Sequence, residues 1–163
     1  MLHAAKISAR KTRNSILAYG FVASLLYAVF LLTMKMVNLM HVTELRMVNY
    51  VILFFVCMIQ IKRWITKTGA YVPFLKVFTM SFFTGIFSFL VFNLFLYIYT
   101  QFDVELNKLF IETVAKPFQF QPTVVIMLEG SAISIIVAFI NMQFFRRYEE
   151  GEVSPKKERA GNV

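Results

Sequence analysis

Four long apolar stretches, each bounded by basic or turn-forming residues, dominate the chain. They run over residues 16–34, 43–65, 74–102 and 123–145. Crossing a hydrocarbon core of about 30 Å takes roughly 20 residues of helix. The first and fourth stretches match that length. The second reaches it with flanking residues, Arg46 snorkelling to the interface, and the third is long enough to tilt. Pro73 and Pro122 stand just before the third and fourth stretches, where a missing backbone N–H costs little. The pattern predicts an all-α membrane protein, a bundle of four transmembrane helices in residues 1–148, followed by a flexible polar tail over 149–163. Between the third and fourth spans, Leu106, Leu109, Phe110 and Val114 alternate with Glu105, Lys108, Glu112 and Lys116 at helical spacing. This predicts a short amphipathic helix on the outer interface within Asp103–Gln121.

Composition agrees with a lipid-facing surface. Of 163 residues, 58% are hydrophobic and 16% charged, too few charges to cover a water-soluble domain of this size. The net charge of +8 sits in clusters beside the apolar stretches, a topology signal with no nucleic-acid-recognition module attached. Thirteen Lys and Arg fall in the N-terminal segment, the loop after the second span and the tail, against four in the other two loops. Both termini are therefore expected in the cytoplasm. The first span has the basic flank of a signal peptide, but its apolar part is too long and lacks a small-residue cleavage site, so it reads as a retained anchor. Cys57 stands alone in an apolar run, and His3 and His41 fall in different compartments, so no metal site or disulfide is expected.

Lipid is as apolar as leucine, so spans associate through close packing and polar contacts. Gly20, Ser24 and Ala28 in the first span and Gly130, Ser134 and Ala138 in the fourth repeat at a spacing of four. Running in opposite directions, the two stripes match in depth, and their pairing is an expectation with chance spacing as the alternative. The third span adds a small polar face of Ser81, Thr84, Gly85 and Ser88. Catalytic motifs of the P-loop, HExxH or GxSxG kind are absent, and neither an enzyme nor a bound cofactor is expected. Apart from Glu44 in the flank that completes the second span, Glu129 is the one carboxylate within a span. Intramembrane carboxylates are costly and face a bundle interior or a wet cavity, as functional sites or as structural contacts. Asn93 and Tyr27, at similar depth, are its candidate partners. The basic loop contributes Lys62, Arg63, Trp64, Lys67 and Lys76, a topology signal that also suits an anionic lipid head group or an acidic partner.

Ile61-Lys62-Arg63-Trp64, then Gly69-Ala70-Tyr71, then Phe74-Leu75-Lys76-Val77-Phe78 resemble the middle of a family of small four-span inner-membrane proteins of unknown function, seen mainly in the Bacteroidota. Phe110-Ile111-Glu112 and the paired basic residues ending the last span are similar too. The resemblance implies a bacterial inner membrane. Genes of that family often lie beside membrane glycosyltransferases, which implies an accessory role. The expected function is a non-enzymatic accessory or scaffold subunit, with lipids and a larger membrane protein, or further copies of itself, as partners. The alternative is a small transporter or a flippase of polyprenyl-linked sugars with Glu129 as its polar site. Small multidrug transporters carry their glutamate in the first span instead, and the flippase-like families share only the Arg63-Trp64 pair.

Overall fold

The structure is a computed structural model that describes residues 2–37, 39, 47–68, 73–104, 108, 111–112 and 122–146. It is all-helical, with no strand among the described residues. The long helices among the described residues are α1 (Leu2–Met36), α2 (Val48–Thr68), α3 (Phe74–Phe102) and α4 (Pro122–Phe145). Each is long and apolar enough to cross a membrane, α1 over Arg10–Met36. A helix satisfies every internal backbone N–H and C=O without water, which is why apolar runs of this length take that form in lipid. Starts and stops are local. Pro73, at φ −58° and ψ 129°, precedes α3 and its carbonyl accepts from Lys76 N at 2.8 Å. Pro122 opens α4, and Lys35 places a cation in the last turn of α1, where the helix dipole favours it. At 35 residues α1 is about 52 Å long, well beyond a hydrocarbon core. Most of Asp103–Gln121 and the tail after Arg146 lie outside the described residues, as does the expected amphipathic helix.

α3 is the hub: it packs on all three other helices, most extensively on α4 and then on α1. Contacts fix the directions. A Cβ built on Gly20 of α1 would lie 2.6 Å from Phe87 and 3.2 Å from the Thr84 carbonyl, while Lys35 ion-pairs with Asp103, so α1 and α3 run parallel. Gly85 faces Ser134, Gly130 faces Phe89 and Phe78 meets Phe139, so α3 and α4 are antiparallel. Leu53 lies at Gly85 and Cys57 at the Ser81 carbonyl, making α2 antiparallel to α3 as well. All the clustered cations of the helices, from Arg10 to Arg13, at Lys62, Arg63, Lys67 and Lys76, and at Arg146, thus share one end, called here the basic end.

Two apolar clusters fill the interior. One, at mid-bundle, gathers Ala23, Tyr27, Leu53, Cys57, Phe89, Phe92, Leu96 and Val137. The other, at the basic end, joins Ile61, Ile65, Val77, Met142 and Phe145. The outward faces stay apolar, with Phe21, Val29, Phe55, Leu94, Leu128 and Phe139 all exposed. That inversion of a soluble surface is what a hydrocarbon solvent permits.

The paired small stripes of α1 and α4 need correction. α1 and α4 form no substantial interface, and each stripe packs on α3: Gly20 under Phe87, Gly130 under Phe89, Ser134 against Gly85. Ser24 and Ala138 are buried, and Ala28 is half-buried. A small-residue stripe sets how closely a partner can approach but not which partner comes. α3 offers small residues and aromatic rings on adjacent faces, so it fits both stripes at once.

Candidate functional site

The polar side chains of the bundle fall into three groups. In the half away from the basic end, the Tyr27 ring is fully buried, stacked on Phe89 with centroids 5.3 Å apart and edge-on to Phe92. Its hydroxyl lies 3.5 Å from Ser88 Oγ. Asn93 Nδ2 donates to the Thr123 carbonyl at 2.8 Å, tying α3 to the first turn of α4. Asn93 Oδ1 is buried and meets no protein donor among the described residues. Glu129 sits half-buried on α4. It adjoins Gly130, which rests on Phe89, so it lies at the depth of the Tyr27–Phe89 stack. The structure thus brings Tyr27, Asn93 and Glu129 into one half of the bundle. Tyr27 and Asn93, however, turn polar atoms to Ser88 and Thr123. At the extreme of this half, Lys35 forms its ion pair with Asp103 and reaches the Tyr99 hydroxyl at 3.4 Å.

At the basic end, Lys62, Arg63 and Lys67 are exposed and Trp64 is half-buried. Lys76 Nζ lies 4.1 Å from the centre of the Trp64 ring, within cation–π range. Arg63 Nη1 donates to Tyr19 Oη at 3.3 Å. The two contacts fasten α3 and α1 to the end of α2. The helical segments at this end bear no acidic residue among those described, so their field has one sign.

The third group is buried: Ser81 and Thr84 come from the small polar face of the third span, whereas Gln60 and Asn141 were concealed in apolar stretches. Gln60 and Thr84 are fully buried. Thr84 Oγ1 donates to Gln60 Oε1 at 2.9 Å, and Gln60 Nε2 donates to Ser15 Oγ at 3.3 Å. The chain of bonds links α3, α2 and α1. Ser81 and Asn141 are also fully buried; Ser81 Oγ and both polar atoms of Asn141 meet no protein partner among the described residues. A carboxamide inside an apolar run is the signal that would have found Gln60 and Asn141. Each lies within a turn or so of a basic helix end, where it passes for part of the interface. No group of three metal-ligating side chains occurs among the described residues.

Comparison with protein families, with curated proteins and with solved structures finds no match to the chain.

Proposed function

We propose that this protein is a non-enzymatic scaffold or accessory subunit of a bacterial inner-membrane complex, basic end toward the cytoplasm and both termini inside. One observation carries the reading. The bundle interior is packed so closely that three glycines, Gly20, Gly85 and Gly130, would each bring an added Cβ into collision with a neighbouring helix. Such a bundle offers its partners a surface rather than a passage, and that surface is apolar on all four helices. Without a hydrophobic driving force in lipid, such faces bind through shape and small polar contacts, which suits a dedicated protein partner. The orientation rests on the excess of cations at one end, and association with a membrane glycosyltransferase on the family resemblance carried by Ile61–Trp64, Gly69–Tyr71 and Phe74–Phe78. The short outer amphipathic helix of Asp103–Gln121 belongs to the same proposal.

Purification of the full chain in mild detergent tests the reading. A larger membrane protein in fixed stoichiometry is the expected result. A homo-oligomer alone, together with a Glu129→Gln variant that folds normally but abolishes substrate movement in vesicles, would replace it by the small-transporter reading. Reporter fusions near Gly69 and after Gly151 are expected to read cytoplasmic, and fusions near His41 and Lys116 external. A cytoplasmic reading at Lys116 would overturn the topology.

A further inference from the structure

The buried polar residues near the basic end form a layer. On α2, Gln60 stands between Cys57 of the mid-bundle cluster and Ile61 of the basic-end cluster. On α3, Ser81 and Thr84 stand between Val77 and Phe89. On α4, Asn141 stands between Val137 and Met142. Ser15 joins from α1 through its bond with Gln60. Every helix thus contributes a polar side chain at the seam between two apolar clusters. Within the layer, bonding is uneven: Ser15, Gln60 and Thr84 satisfy one another, whereas Ser81 Oγ and the Asn141 carboxamide have no protein partner among the described residues.

These two orphans lie on facing stripes. Ser81 continues the face of α3 on which Gly85 meets Ser134, and Asn141 continues the face of α4 two turns beyond Ser134. In the antiparallel register fixed by Phe78 and Phe139, Asn141 falls at the level of the first two turns of α3, about one turn from Ser81. Both side chains are fully buried, and four residues, about 6 Å of helix, separate Asn141 from the end of α4 at Phe145. Such groups left without partners in a dry interior are strongly unfavourable.

We infer that Asn141 and Ser81 hold an internal water site between α3 and α4 in the basic-end half of the bundle. The two side chains offer an amide with two donors, a carbonyl acceptor, and a hydroxyl that both donates and accepts. The complementary ligand is neutral, small and able to do both, and it needs two to four partners, as a buried water does. No charged side chain belongs to the layer, so neither an ion nor a charged head group matches it. The inference is independent of the scaffold reading, since a hydrated seam suits a subunit and a transporter alike.

Water-edited solid-state NMR on the full chain in lipid nanodiscs, with labelled Asn and Ser, tests it directly. Early magnetisation transfer from water to the Asn141 carboxamide and to Ser81 is expected, with exposed Arg63 as the positive reference and Leu53 as the dry one. Transfer to Arg63 with none to Asn141 or Ser81 would overturn the site. Asn141→Leu sharpens the sign. Removing a hydrated carboxamide is expected to abolish transfer to Ser81 and lower the unfolding midpoint by several degrees. A raised midpoint would show that Asn141 sat dry and unpaired, and would equally overturn the site. If Asn141→Leu does not fold, the measurement on the unmodified protein and the milder Ser81→Ala, expected to weaken transfer to Asn141, decide the matter.

Discussion

α3 shares one interface with α4 and another with α1, and the two are held together differently. Against α4 a glycine on each helix seats a side chain of the other: Gly85 sits on Ser134, whose Cβ would be 2.7 Å from an added methyl, and Gly130 sits under the Phe89 ring. Against α1 the seat at Gly20 is supplemented by long side chains, with Tyr27 stacked on Phe89 and edge-on to Phe92 mid-span and Lys35 clamped to Asp103 at the far end. The first interface is fixed by steric closeness, which admits one register and little adjustment. The second is fixed by side chains that can relax. The difference teaches that in this bundle two reciprocal glycine seats set the position of α4, whereas one glycine seat, ring packing and an end clamp set that of α1.

Phe89 belongs to both interfaces, and removing it tests whether they are separable. Phe89→Ala takes away the Tyr27 stack and the ring over Gly130 together. A loss of about 3–5 kcal/mol is expected, measured as unfolding free energy in detergent or bicelles. A loss near that of a single exposed phenylalanine would mean the two interfaces do not meet at this ring. Gly85→Ala attacks the α4 side alone. Overpacking of this kind costs about 1–3 kcal/mol, and Ser134→Gly in the same chain should recover most of it by vacating the space. Additive effects of the two changes would remove the direct contact from the account.

Tyr27→Phe probes the α1 side while keeping its ring. Hydrogen bonds within membrane bundles average about 0.6 kcal/mol, and the 3.5 Å contact with Ser88 is a long one, so a loss of about half a kcal/mol is expected. A cost several times larger would mark the hydroxyl, rather than the ring, as the anchor of α1. Smallest of all is the clamp. Lys35 is 41% exposed, and exposed ion pairs contribute about 0–1 kcal/mol and weaken with salt. Lys35→Gln should therefore shift the midpoint slightly at low ionic strength and not at all at high. An equal shift at both would point to lost packing of the lysine stem over Tyr99 instead.

The bundle's four apolar helices and the one-sided distribution of cations were legible from residue order alone. Hydropathy is a property of each segment, and in lipid a long apolar segment has no alternative to a helix. Gly20, Gly130 and Ser134 were equally legible as close-packing positions, because only a small side chain lets two backbones approach. Their partner was not. The stripe spacings on α1 and α4 matched each other, yet both helices lie on α3, whose Phe87 and Phe89 rings fill the space above Gly20 and Gly130. Gln60 and Asn141 were hidden for a related reason: a carboxamide near a basic helix end reads as interface until a neighbouring helix is seen to cover it. By itself, then, the sequence determined that four helices are long and apolar enough to cross a membrane, and that cations cluster at their ends. Which faces meet, and which polar groups are thereby shut inside, only the tertiary structure decided, because helix pairing in lipid depends on the shapes of two surfaces together and no single segment carries that information.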